Sequence, residues 1–141
     1  MKSLADIPPL RNTILEQLNL SKIHFAIMDG NYHYFTELLN NEDPIHILDK
    51  NRCSLLHYAV FYNNITMVLD LIRKGSLIDW RNEKGCTPLH FACGHGGNDQ
   101  IALLLKRHGA NPFIEDLYED TPLIYALRNN NKKLFDDLCK V

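Results

Sequence analysis

A six-residue pattern returns along this chain at nearly fixed intervals, and that return limits the fold more than any other property of the sequence. Thr87-Pro88-Leu89-His90-Phe91-Ala92 is its fullest form. Ser54-Leu55-Leu56-His57-Tyr58-Ala59 begins 33 residues earlier, and Ser21-Lys22-Ile23-His24-Phe25-Ala26 another 33 before that. Thr121-Pro122-Leu123-Ile124-Tyr125-Ala126 begins 34 residues after Thr87. The pattern has the chemistry of a helix start. A Ser or Thr hydroxyl accepts a backbone N–H left unpaired in the first turn. Pro88 and Pro122 fall at the first helical position, where the missing N–H costs nothing. Leu89 and Ala92 then share one helical face. Units this short cannot enclose a core alone and are stable only when stacked on neighbours.

Within each unit the apolar spacing reads as helix, turn, helix. In the first, Ile23, Ala26 and Ile27 form one stripe, Gly30-Asn31 breaks it, and Phe35, Leu38 and Leu39 form the next. Leu55, Leu56 and Ala59, then Asn63-Asn64, then Val68, Leu71 and Ile72 repeat the plan. Leu89 and Ala92 are followed by Gly96-Gly97 and by Ile101, Leu104 and Leu105; Leu123 and Ala126 by Asn130-Asn131, Phe135 and Leu138. Gly75 and Gly109 fall just past second helices, where a left-handed residue commonly closes the helix. The one spacing of 34 is expected to hold its extra residue in Lys106-Arg107-His108. Residues 1–20 lie outside the period, and Ile14, Leu15 and Leu18 predict a small helix covering the first unit. Lys132, Lys133, Asp136, Asp137 and Lys140 give the last helix the polar face expected of a terminal unit.

Thr-Pro-Leu-His-x-Ala at the head of a 33-residue period resembles the ankyrin repeat. The third unit is the closest match. The second keeps Leu-His-x-Ala, the fourth Thr-Pro-Leu, and the first His-x-Ala. The resemblance implies an all-α repeat solenoid of four units, 21–53, 54–86, 87–120 and 121–141, linked by β-hairpin fingers. It implies that each histidine bonds back to the cap hydroxyl and turn backbone. Arg52 and Glu119 stand where the third unit has Gly85, and a positive φ there would strain them by about 1 kcal/mol or more. The family's variable concave positions, carried over, fall on Phe61, Tyr62, His95, Arg128 and Asn129 at the ends of first helices. In the fingers they fall on Leu48, Lys50, Asn51, Arg81, Glu83 and Lys84, then Glu115, Leu117 and Tyr118, with Trp80 beside them.

Composition narrows the chemistry. The 141 residues are 45% hydrophobic and 23% charged, as in ordinary globular domains. A net charge of −2 argues against a dedicated nucleic-acid binder. No apolar run reaches the roughly 18 residues of a membrane span. Met1 to Leu20 lacks the apolar centre of a secretory signal. The four cysteines are accordingly expected to be free thiols in a reducing compartment, the cytoplasm. Cys86-x3-His90-x2-Cys93-x-His95 looks like a metal cluster when read linearly, but the repeat frame scatters the four. His24, His57 and His90 stand one unit apart, about the 10 Å of packed helices. Zinc needs ligands about 2 Å away. Gly94-x-Gly96-Gly97 follows a helix rather than a strand and is no phosphate loop. No nucleophile–base pairing appears, so no enzyme, cofactor or metal is expected.

The remaining expectation is recognition of another protein, by a chain monomeric when alone. Aromatic side chains and Arg81 are of the types enriched at binding hot spots. Arg81 and Lys84 would read acidic groups. Two other roles fit the same surface: a targeting domain of a larger enzyme or effector, and an inhibitor that masks a partner's working surface. The cap reading has its own test. Thr87→Ala is expected to lower stability by about 1 kcal/mol, and an unchanged melting temperature would count against it.

Overall fold

The computed structural model describes residues 20–41, 45–94 and 98–140. The covering helix expected over residues 1–20 therefore lies outside the described residues, except for Leu20. Eight helices are seen, and they fall into consecutive pairs. They are α1 (Lys22–Asp29) with α2 (Tyr32–Asn41), α3 (Leu55–Phe61) with α4 (Ile65–Arg73), α5 (Pro88–Gly94) with α6 (Asp99–Arg107), and α7 (Pro122–Arg128) with α8 (Lys132–Cys139).

The helix starts follow from their caps. Ser54, Thr87 and Thr121 hydroxyls accept the backbone N–H of His57, His90 and Ile124 at 3.2–3.3 Å. The second helices have a cap of their own, which the apolar pattern did not single out. Asn31, Asn64, Asn98 and Asn131 accept the N–H of Tyr34, Met67, Ile101 and Leu134. These asparagines also correct the register of the third unit. Asn64 and Asn98 are already 34 apart, and α4 and α6 are both nine residues long. The extra residue thus precedes Asn98, in 95–97, and not in Lys106-Arg107-His108. An insertion inside α6 would rotate its apolar stripe off the core, whereas one ahead of Asn98 leaves α6 in register.

First helices pack against first helices along the stack, α1 on α3, α3 on α5, α5 on α7. Among the second helices α6 and α8 also touch. The row of first helices is the more closely packed one, and its open side is called the inner face below. Between the rows runs one continuous core. Ile23, Phe35, Leu55, Leu56, Leu89 and Leu105 are fully buried, as is Met67, which the stripe reading passed over. Each such side chain contributes roughly 1.5–3 kcal/mol through burial.

The fingers differ from the expected β-hairpins. The described residues contain no strand. Each finger is a tight turn closed by two backbone bonds: Asp49 N to Cys53 O with Arg52 N to Asp49 O, Asn82 N to Cys86 O with Gly85 N to Asn82 O, and Asp116 N to Asp120 O with Glu119 N to Asp116 O. Successive fingers share a single backbone-to-backbone bond, Glu83 N to Asn51 O at 2.8 Å and Leu117 N to Lys84 O at 3.0 Å. One bond per pair aligns the fingers without making a ladder.

The backbone does take the strained form at the fingers. Arg52 has φ 62°, Gly85 79° and Glu119 64°. Gly85 has a second reason to be glycine. An added Cβ would lie 3.0 Å from Leu117 N and 2.9 Å from Arg81 Nη2. Glu119 carries the conformational cost that Gly85 avoids. Glu119→Gly is therefore expected to raise stability by about 1 kcal/mol. Gly85→Ala is expected to lower it by more than that, because strain and contact add. Urea unfolding of both variants checks the pair, and a neutral Glu119→Gly would remove the strain argument.

Candidate functional site

The site is assembled from finger bases and first helices, and one side chain per finger sets its shape. Asp49 Oδ1 accepts the N–H of Asn51 and Cys53, and its Oδ2 accepts the Tyr58 hydroxyl at 2.6 Å. Asp116 repeats this with Tyr118 N, Asp120 N and the Tyr125 hydroxyl, again at 2.6 Å. In the finger between these two the acid becomes Asn82, and in the helix that follows it the tyrosine becomes Phe91. Asn82 Oδ1 still organises the turn through Lys84 N and Cys86 N, and its amide donates instead to Cys53 Sγ. The partners change together because a phenyl ring offers no proton to a carboxylate. The signal in the sequence is Asp, Asn or Asp five residues before each cap, which the motif reading did not use. Burial tends to raise the Asp116 carboxyl, but the Tyr125 hydroxyl and the N–H of Asp120 and Tyr118 outweigh it and hold the group below the ordinary carboxylate range.

The histidines are architectural. Nδ1 of His24, His57 and His90 accepts the backbone N–H of Ser21, Ser54 and Thr87 at 3.0–3.2 Å. A backbone N–H can only donate, so the ring proton is on Nε2. From there His57 donates to Cys86 O at 2.8 Å and His90 to Asp120 O at 2.9 Å. These two rings join their own helix caps to the following finger. His24 Nε2 is buried with no hydrogen-bond partner among the described residues. Burial pushes His24 and His57 down to about 4, and lowers His90 as well. Among the described residues no group of three or more His, Cys, Asp or Glu is placed to hold a metal ion. Cys53, Cys86, Cys93 and Cys139 are unpaired.

Along the inner row lie two adjoining hollows, of about 210 and 350 Å³, which share Phe61 and Phe91. The smaller adds Asp49, Tyr58 and Tyr62; the larger adds Gly94, Tyr125 and Arg128. Phe61 is 41% exposed and Tyr62 40%. Their rings meet edge to face at 5.2 Å, and Phe61 meets Phe91 at 6.3 Å. Gly94 leaves room for the Tyr125 ring, since an added Cβ would come within 2.5 Å of it. The structure thus brings Phe61, Tyr62 and Arg128 to one surface, joined by Tyr58, Phe91 and Tyr125, which the sequence reading left out.

The other expected residues fall elsewhere. Trp80 lines neither hollow. Its indole N–H donates to Arg52 O at 2.9 Å, and the Arg52 guanidinium lies 5.3 Å over its ring. Arg81 spans fingers, donating to Gly85 O and to Glu115 O. Lys84, Glu115 and Tyr118 are exposed on the fingers. Arg128 is held by Asp120 at 2.5 and 2.9 Å. His95 lies outside the described residues. No described helix is long and apolar enough to cross a membrane.

The neutral rings make stability depend on pH. A group whose folded pKa lies below its unfolded value of about 6.5 takes up its proton first in the unfolded chain. Its stabilisation is complete above pH 6.5 and is lost as pH falls toward 4. At pH 5 the loss is expected to reach roughly 2 kcal/mol for each of His24 and His57. Thermal melts at pH 7 and pH 5 check this; equal melting temperatures would mean that the imidazoles are not held neutral.

Compared with known families, residues 56–140 match the family described as Ankyrin repeats (3 copies). A search of curated proteins returns no match. Ankyrin repeats are generally non-catalytic modules of protein–protein interaction. With repeat-bearing sequence over more than half its length, and the stacked helix pairs to match, the chain belongs to the ankyrin repeat family.

Proposed function

We propose that this chain binds a partner protein on the inner face formed by its first helices and finger bases. The observation that carries the reading is the exposed pair Phe61 and Tyr62, standing between two apolar hollows. Large aromatics left open to water on a curved face cost free energy unless a partner covers them. Tyr and Phe are also among the side chains enriched at such contacts. Arg128, Glu115, Lys84 and Tyr118 surround this face as rim residues, and Arg81 with Trp80 holds the fingers in position beneath them.

The first helix pair acts as a fourth repeat beyond the matched span. It shares the left-handed Gly30 at φ 68°, the Asn31 cap and the Ser21–His24 bond of the later units. Units of 21–53, 54–86, 87–120 and 121–141 then form one recognition surface. Four unpaired cysteines suit a reducing compartment, the cytoplasm.

A Phe61→Ala, Tyr62→Ala double variant tests the face. Both side chains are already partly exposed, so helical circular dichroism and melting temperature should stay close to those of the parent. A partner retained from cell extract by the immobilised parent should be absent from the variant. Undiminished capture would move the contact to another surface.

A further inference from the structure

From the hollows and the charges around them, we infer that the partner contributes an acidic segment carrying two bulky apolar side chains. The inference rests on the inner-face reading above and specifies its ligand.

Two features define the apolar part. The hollows are separate but adjoining, with Phe61 and Phe91 common to both. The smaller lies between α3 and the base of the second unit's finger, and the larger between α5 and α7. Their centres are thus about one unit apart, near the 10 Å spacing of packed helices. One side chain fills each. That separation corresponds to positions i and i+7 of a helix, or to i and i+3 of a polyproline-type segment. Volumes of about 210 and 350 Å³ accept large side chains rather than a single methyl group.

The charges define the rest. The first two fingers carry Lys50, Arg52, Arg81 and Lys84, and none of these is ion-paired among the described residues. Arg81 spends its donors on carbonyl oxygens, so its charge is not neutralised. Arg52 is held over Trp80, which fixes its planar fork at little further entropy cost. Glu83 is the one exposed carboxylate at those tips, and the Asp49 carboxylate is taken up by Tyr58 and the turn. On the third finger the sign reverses. Glu115 and Glu119 are exposed there, and Arg128, the cation of the α7 end, is matched by Asp120. The acidic flank of the segment therefore lies over the first two fingers. Its apolar anchors run toward the fourth. Such an arrangement sets direction and encounter rate as much as affinity.

The test uses the full chain and a displayed library of random 12-residue peptides. Enriched sequences should hold two large apolar residues at one of those spacings, with Asp or Glu on one flank only. Measured by fluorescence anisotropy, an enriched peptide should bind the Phe61→Ala, Tyr62→Ala variant at least tenfold more weakly. A Lys50→Glu, Lys84→Glu variant should weaken it several-fold, and a Lys-for-Glu version of the peptide should recover the difference. Neutral or basic peptides that still depend on Phe61 and Tyr62 would overturn the acidic ligand while leaving the inner face standing. Peptides indifferent to both variants would overturn both. No enrichment over the bare support would overturn the short acidic segment, leaving the inner face to the capture experiment. A self-association of the parent, seen by sedimentation and lost in the Phe61→Ala, Tyr62→Ala variant, would make a second copy the occupant and overturn the proposal.

Discussion

A neutral imidazole with its two nitrogens committed in opposite directions connects one unit of this chain to the next. On one side it accepts from the cap of its own helix; on the other it donates to the carbonyl before the following cap. A buried carbonyl needs a donor, and a buried ring N–H needs an acceptor. The bond satisfies both at the point where two units meet. Apolar packing makes stacking favourable, but it does not set how far each unit rotates against its neighbour. The imidazole bridge and the single finger-to-finger backbone bond do.

Those polar groups are committed to holding the stack. The tyrosine–aspartate pairs are likewise consumed, each carboxylate closing a turn and receiving a hydroxyl. What remains on the inner face is mostly ring surface. The same residues that make the fingers stiff leave the face between them free to vary. That is how a repeat scaffold separates its architecture from its recognition.

The fold was largely legible because its signals are local and recur. Cap, proline, apolar stripe and histidine each repeat at the same offset, so one clear unit explains the weaker ones. Left-handed Arg52 and Glu119 could be anticipated from Gly85 alone. The asparagine caps of the second helices were equally periodic, and ignoring them misplaced the inserted residue. The surface was less legible. Arg81 and Trp80 look like free recognition residues in a linear reading, yet both donate to the backbone of a neighbouring finger about 30 residues away. Tyr58, Phe91 and Tyr125 stand at the variable position of the repeated pattern and form walls of the hollows. Whether an aromatic ring is covered depends on what the next unit lacks, and Gly94 is such a gap.

The joints of the stack are not equal. His57 and His90 complete their bridges, whereas the Nε2 of His24 has no acceptor. The first joint is therefore held by packing, by the bonds of Glu83, Trp80 and Asn82 to the Asp49–Cys53 finger and by the Tyr32 hydroxyl on Asp70, without the imidazole link of the other two. At the amino-terminal joint the finger bonds and one exposed tyrosine–aspartate bond stand where the later joints add a buried ring proton, so that joint has the smallest share of buried polar links to lose when water reaches it.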